Sequence, residues 1–176
     1  MKTILVALLS FCLSSSIFSQ NHSFPYLDQN GIECVLLWNS SNGQSTLMFY
    51  SSAEKKFLPA SYQLPTRPTG ENGVHQFHPY LDQNGLECVL AWNETTGESK
   101  LYFYSSAQKQ FVLANYQLPN NPTGDSGTYT FHPYLDQNGL ECVLITNMKT
   151  GTSKLYFYSN TTKSFALASY QIVSEK

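Results

Sequence analysis

The sequence predicts an all-β fold of three tandem four-stranded antiparallel units. Three observations carry this. The run Pro-Tyr-Leu-Asp-Gln-Asn-Gly begins at Pro25, Pro79 and Pro133, a constant period of 54 residues (79 − 25 and 133 − 79), and a fixed period of that kind marks a repeat architecture. Aromatic residues make up 14% of the chain and charged residues only 12%, a balance suited to pleated, half-buried surfaces. Turn residues cut each unit into short apolar runs.

The register holds without insertion, as at Cys34/Cys88/Cys142, Gly43/Gly97/Gly151, Tyr50/Tyr104/Tyr158 and Tyr62/Tyr116/Tyr170. Residues 78–90 and 132–144 are identical. The units span about 22–75, 76–129 and 130–176 of a single domain, 20–176. In the second unit, strand A is expected over 74–82. The Asn84-Gly85 pair then predicts a type I′ hairpin, which needs two positive φ angles. Strand B follows over 86–92, a longer loop over 93–97 and strand C over 100–105. A polar turn at 106–109 leads to strand D over 110–118, and a Pro/Gly linker over 119–127 reaches the next unit.

The alternation within these strands selects an architecture. In strand B, Cys88, Leu90 and Trp92 share one face, Val89 and Ala91 the other; in strand C, Leu101 and Phe103 oppose Tyr102 and Tyr104. A sheet packed on one side alternates apolar with polar residues, whereas here both faces are apolar. The sheets are therefore expected to stack as β-propeller-like blades, with a β-trefoil or β-prism of pseudo-threefold symmetry as the alternative. The stretch Leu81-Asp82-Gln83-Asn84-Gly85-Leu86-Glu87-Cys88-Val89-Leu90-Ala91-Trp92-Asn93-Glu94-Thr95-Thr96-Gly97 resembles FG-GAP/VCBS propeller repeats. That family carries an Asp/Asn/Gly-rich loop, an apolar strand ending in Trp, and Asn-x-x-Thr-Gly. The resemblance implies short-repeat propeller blades and a loop that can hold calcium, although the family's loop is richer in Asp. Rings typically have about four to eight blades, so an open arc of three exposes apolar faces at both ends. A homodimer closing a six-blade ring is expected.

Residues 1–19 combine Lys2, an apolar run through Leu13 and small residues up to Ser19. They read as a secretory signal peptide cleaved after Ser19, which implies a secreted, extracellular or periplasmic protein. No segment is long enough to span a bilayer as a helix. Without Lys2 the chain keeps nine of its ten basic residues against twelve acidic ones. With no basic stripe, nucleic acid is excluded as an expected partner.

The candidate chemistry repeats with the units. The three cysteines of 20–176 are read as buried small hydrophobes. Asp28/Glu33, Asp82/Glu87 and Asp136/Glu141 form a repeated Asp-x-Asn-Gly-x-Glu. A two-residue loop would set each Asp opposite its Glu, where like charges repel. A bound cation such as calcium, ligand hydroxyls, solvation or a register-shifting bulge would each relieve this. Trp38 and Trp92, with Thr146 in the third unit, and the tyrosines Tyr80 and Tyr134 supply flat apolar faces beside carboxylates, the combination a sugar site requires. His78 and His132, replaced by Phe24 in unit one, are further candidates, while His22 and His75 are expected in solvent. No nucleophile–base set or phosphate-binding loop is present, so no enzymatic activity is expected. Weak sites gain from repetition through avidity. The sequence therefore points to a multivalent lectin binding glycans, with a structural or protein-interaction repeat domain as the alternative.

Overall fold

The computed structural model describes residues 20–70 and 72–170, so the expected signal peptide lies outside the described residues. Unit one comprises β1 (Asn21–Leu27), β2 (Glu33–Asn39), β3 (Ser45–Ser51) and β4 (Lys56–Pro59). Unit two comprises β5 (His75–Leu81), β6 (Glu87–Asn93), β7 (Ser99–Ser105) and β8 (Gln110–Leu113). Unit three comprises β9 (Tyr129–Leu135), β10 (Glu141–Asn147), β11 (Ser153–Ser159) and β12 (Ser164–Leu167). Each unit closes its own antiparallel sheet in chain order, and no strand is shared between units. Among the described residues no helix is long and apolar enough to cross a membrane.

Two expectations about these elements need correction. Strand D is shorter than the apolar run 110–118 suggested, ending at Leu113. Beyond it, Ala114 donates its N–H to the Leu101 carbonyl. The Gln117 side chain then replaces the missing strand: its Oε1 accepts from Leu101 N at 2.8 Å and its Nε2 donates to Leu101 O at 3.1 Å. Gln63 repeats this on Leu47. The first hairpin is not type I′, because Gly85 has a positive φ of 74° but Asn84 does not. The loop holds three residues, Gln83 to Gly85, closed by Asp82 N–H to Leu86 O and Gly85 N–H to Asp82 O, both 2.9 Å. A three-residue loop ending in a left-handed glycine is the next commonest hairpin connection.

The sheets stack face to face. We call the side of a sheet turned toward the preceding unit its leading face and the opposite side its trailing face. Cys34, Leu36 and Trp38 on the trailing face of unit one share a core with Phe77, Val89, Ala91 and Tyr102 on the leading face of unit two. Cys88, Leu90 and Trp92 meet Tyr129, Phe131, Val143, Ile145 and Tyr156 of unit three in the same way. Every residue of β6 is buried, so the two-sided apolar pattern read in strand B is two-sided packing. The middle sheet is thus covered on both faces by its neighbours.

Candidate functional site

The Asp of each repeat organises its own loop. Asp82 Oδ1 accepts the N–H groups of Asn84 and Leu86, both at 2.8 Å. Asp28 does the same for Asn30 and Ile32, and Asp136 for Asn138 and Leu140. The Leu140 N–H bond leads in holding the Asp136 carboxyl below the usual carboxylate range. The extra loop residue shifts the register, so Glu87 pairs across the hairpin with Leu81 instead of Asp82. The feared like-charge pair within a hairpin does not form, for the reason that a bulge provides.

The Glu of each repeat instead joins neighbouring units. Glu87 and Glu141 are each 1% exposed on the leading faces of their sheets. Tyr26 of unit one donates its hydroxyl to Glu87 Oε1 at 2.6 Å, and Tyr80 of unit two donates to Glu141 Oε1 at 2.6 Å. Burial pushes both carboxyls up to about 7; the tyrosine bond opposes this, and the neighbouring Asp28 or Asp82 reinforces it. Glu87 Oε2 is buried and has no hydrogen-bond partner. Glu33, which has no unit on its leading side among the described residues, is exposed, and Tyr134 on the last trailing face is 42% exposed.

Asp82 and Glu141 open onto a cleft of about 240 Å³ between units two and three, lined also by Asn84, Leu86, Phe103, Asn115, Tyr116 and Tyr158. Tyr116 leans on Tyr158 with ring centroids 4.6 Å apart. Asn84 and Asn115 are exposed at the rim. The equivalent set recurs between units one and two: Tyr62 leans on Tyr104 at 4.4 Å, and Asp28 and Glu87 both act on the Tyr62 hydroxyl, which burial pushes well up. The cleft between units two and three thus combines apolar rings, carboxylate acceptors and, at the rim, neutral polar side chains.

The remaining sequence candidates lie elsewhere. Trp38 and Trp92 are 8% exposed, packed on Phe77 and Phe131 at 5.9 and 5.5 Å. Trp92 Nε1 donates to the Tyr129 carbonyl at 3.1 Å, and His22 stacks on Trp38 at 5.1 Å. Both indoles pack between sheets, and Trp38 also lines a separate cleft with Asn21, His22, Asn39 and Gln44. His78 is half-buried against Phe24 at 4.6 Å, His132 is exposed, and burial followed by His132 lowers the His78 pKa. His75, expected in solvent, is fully buried on the leading face of unit two, with Nδ1 3.1 Å from Thr69 Oγ1. Cys34, Cys88 and Cys142 are buried free thiols; burial pushes Cys34 up to about 12, which keeps it protonated and unreactive. Among the described residues no three metal-ligating side chains cluster.

No known family model matches the chain, and no curated protein matches it. Among solved structures, a fucose lectin from Kordia zhangzhouensis in complex with methyl-fucoside aligns with 86% of this chain and 100% of its own, at 14% identity and a TM-score of 0.45.

Sequence reasoning did not propose Tyr62, Tyr104, Tyr116, Tyr158, Phe103, Asn84 or Asn115 as site residues. The signal was present in the register: Tyr62/Tyr116 and Tyr104/Tyr158 repeat with the carboxylates. What was missing was that a tyrosine from one unit meets the strand C tyrosine of the next.

Proposed function

We propose that the protein is a secreted, multivalent carbohydrate-binding protein whose sites are the clefts between consecutive units. One observation carries this reading. The tyrosine pair Tyr116/Tyr158, the acceptors Asp82 and Glu141 and the amides Asn84 and Asn115 converge on one small cleft, and the equivalent tyrosine pair Tyr62/Tyr104 meets beside Asp28 and Glu87 between units one and two. A sugar ring presents an apolar C–H face beside hydroxyls that both donate and accept, which this combination complements. At about 240 Å³ the cleft is smaller than pockets for drug-sized ligands, roughly 300–1,000 Å³, and suits one or two sugar rings. Both Asp82 oxygens and Glu141 Oε1 already accept from the protein's own donors, and a carboxylate retains further lone pairs for a hydroxyl.

Duplication favours binding over catalysis, because linked weak sites gain avidity on a surface bearing many copies of a glycan. Export fits such a role, and the exported protein is expected to begin at Gln20 on N-terminal sequencing. The test of function is a glycan array followed by calorimetric titration of the best ligand into wild type and Asn115→Ala. The expected result is binding that the exposed Asn115→Ala change weakens without loss of fold. A folded protein that is blank across the array overturns the reading in favour of an interaction domain without sugar binding.

A further inference from the structure

We propose that a second copy of this chain docks head to tail, with the trailing face of unit three seated on the leading face of unit one of the partner and Tyr134 donating to Glu33 of the partner subunit. The contact would continue an interface that the chain already builds twice. At each internal boundary a tyrosine on the trailing face donates to a glutamate on the next leading face, Tyr26 to Glu87 and Tyr80 to Glu141. Among the described residues, the unused halves of that contact are Tyr134 and Glu33, one at each end of the stack, and both are exposed.

The packing around them is unfinished in the same sense. Leu37 on the first leading face is 40% exposed, whereas its equivalents Ala91 and Ile145 are covered by the preceding unit. Tyr62 and Tyr116 lean on Tyr104 and Tyr158. Their equivalent Tyr170 is exposed, and so is Tyr50, the equivalent of Tyr104 and Tyr158.

The end faces also differ from the internal ones in a matched way. Trp38 packs on Phe77 and Trp92 on Phe131. The next pair in that series is Thr146, on the last trailing face, and Ser23, on the first leading face. Both partners are small and polar, so the two faces suit one another where a Trp against Ser or a Thr against Phe would leave a void or strand a hydroxyl.

Blade number selects the assembly. A head-to-tail contact closes into a ring or grows into a filament. Two chains supply six sheets, within the usual range of about four to eight; one chain falls below it and three exceed it. If the clefts bind sugar as proposed, closure also completes a third cleft per chain, with Asp136 and Tyr170 on one copy facing Glu33 and Tyr50 of the partner subunit.

The test is the mass of the full mature chain by light scattering across the micromolar range, which involves no sugar. The expected mass is twice that of the chain. Glu33→Gln and Tyr134→Phe lie on exposed positions, and each is expected to raise the dimer dissociation constant about tenfold or more, as loss of a charge-assisted hydrogen bond does. The double variant is expected to fall short of the product of the two. A monomeric wild type, a filament, or a dimer indifferent to both substitutions overturns the proposal. A dimer that binds no glycan leaves this inference standing and overturns the functional reading alone.

Discussion

Replacing Glu87 and Glu141 by Gln is expected to remove a pH dependence that the stacked sheets impose on stability. Each carboxyl is 1% exposed and is pushed from 4.5 up to about 7, chiefly by burial. A raised carboxyl pKa means that the folded protein holds its proton more tightly than the unfolded chain does. Its contribution is therefore complete below about pH 4.5 and is lost as pH rises through about 7. The displacement corresponds to about 3 kcal/mol for each carboxyl. His75 and His78 act in the opposite sense, since burial lowers both; they favour the folded state above about pH 6.5 and are lost as pH falls. The histidines are common to both proteins, so the informative quantity is the difference between wild type and the double Gln variant. Urea unfolding at about pH 4.5 and about pH 8 is expected to show wild type losing several kcal/mol relative to the variant. An equal slope in the two proteins would refute the assignment of buried, tyrosine-held carboxyls.

Other perturbations follow from the same contacts. Trp92→Ala removes the indole between Phe131 and the Tyr129 carbonyl and is expected to cost about 3–5 kcal/mol in denaturant unfolding. Asp82→Ala leaves the Asn84 and Leu86 N–H groups without their acceptor and is expected to cost about 1–3 kcal/mol, with Asp82→Asn milder because its amide oxygen can still accept. Calcium, with or without chelator, is expected to leave the melting temperature unchanged, since the Asp82 oxygens are engaged by the loop's own donors.

The period, the four strands per unit and the two-sided burial were all legible in the sequence, because a 54-residue repeat and alternating apolar faces are local patterns. The hairpin type was not: Asn-Gly favours a type I′ turn, but the Asp82 carboxylate captures two N–H groups two and four residues on and stabilises a three-residue loop. The burial of His75 was not legible either. Alternation tells which residues share a face but not which face meets the preceding unit, and a face that looks available within one unit is covered once units stack. The cleft was hidden for the same reason, since Tyr116 and Glu141 come from different units and meet only through packing.

The proposed sugar site is the cleft between units two and three. Titration of an array-selected glycan into wild type, Asn84→Ala and Asn115→Ala tests it most directly. Saturable binding by wild type and weaker binding by both rim variants, with the fold intact, is the expected result. No binding by the folded wild type, or binding that both variants leave unchanged, would contradict it.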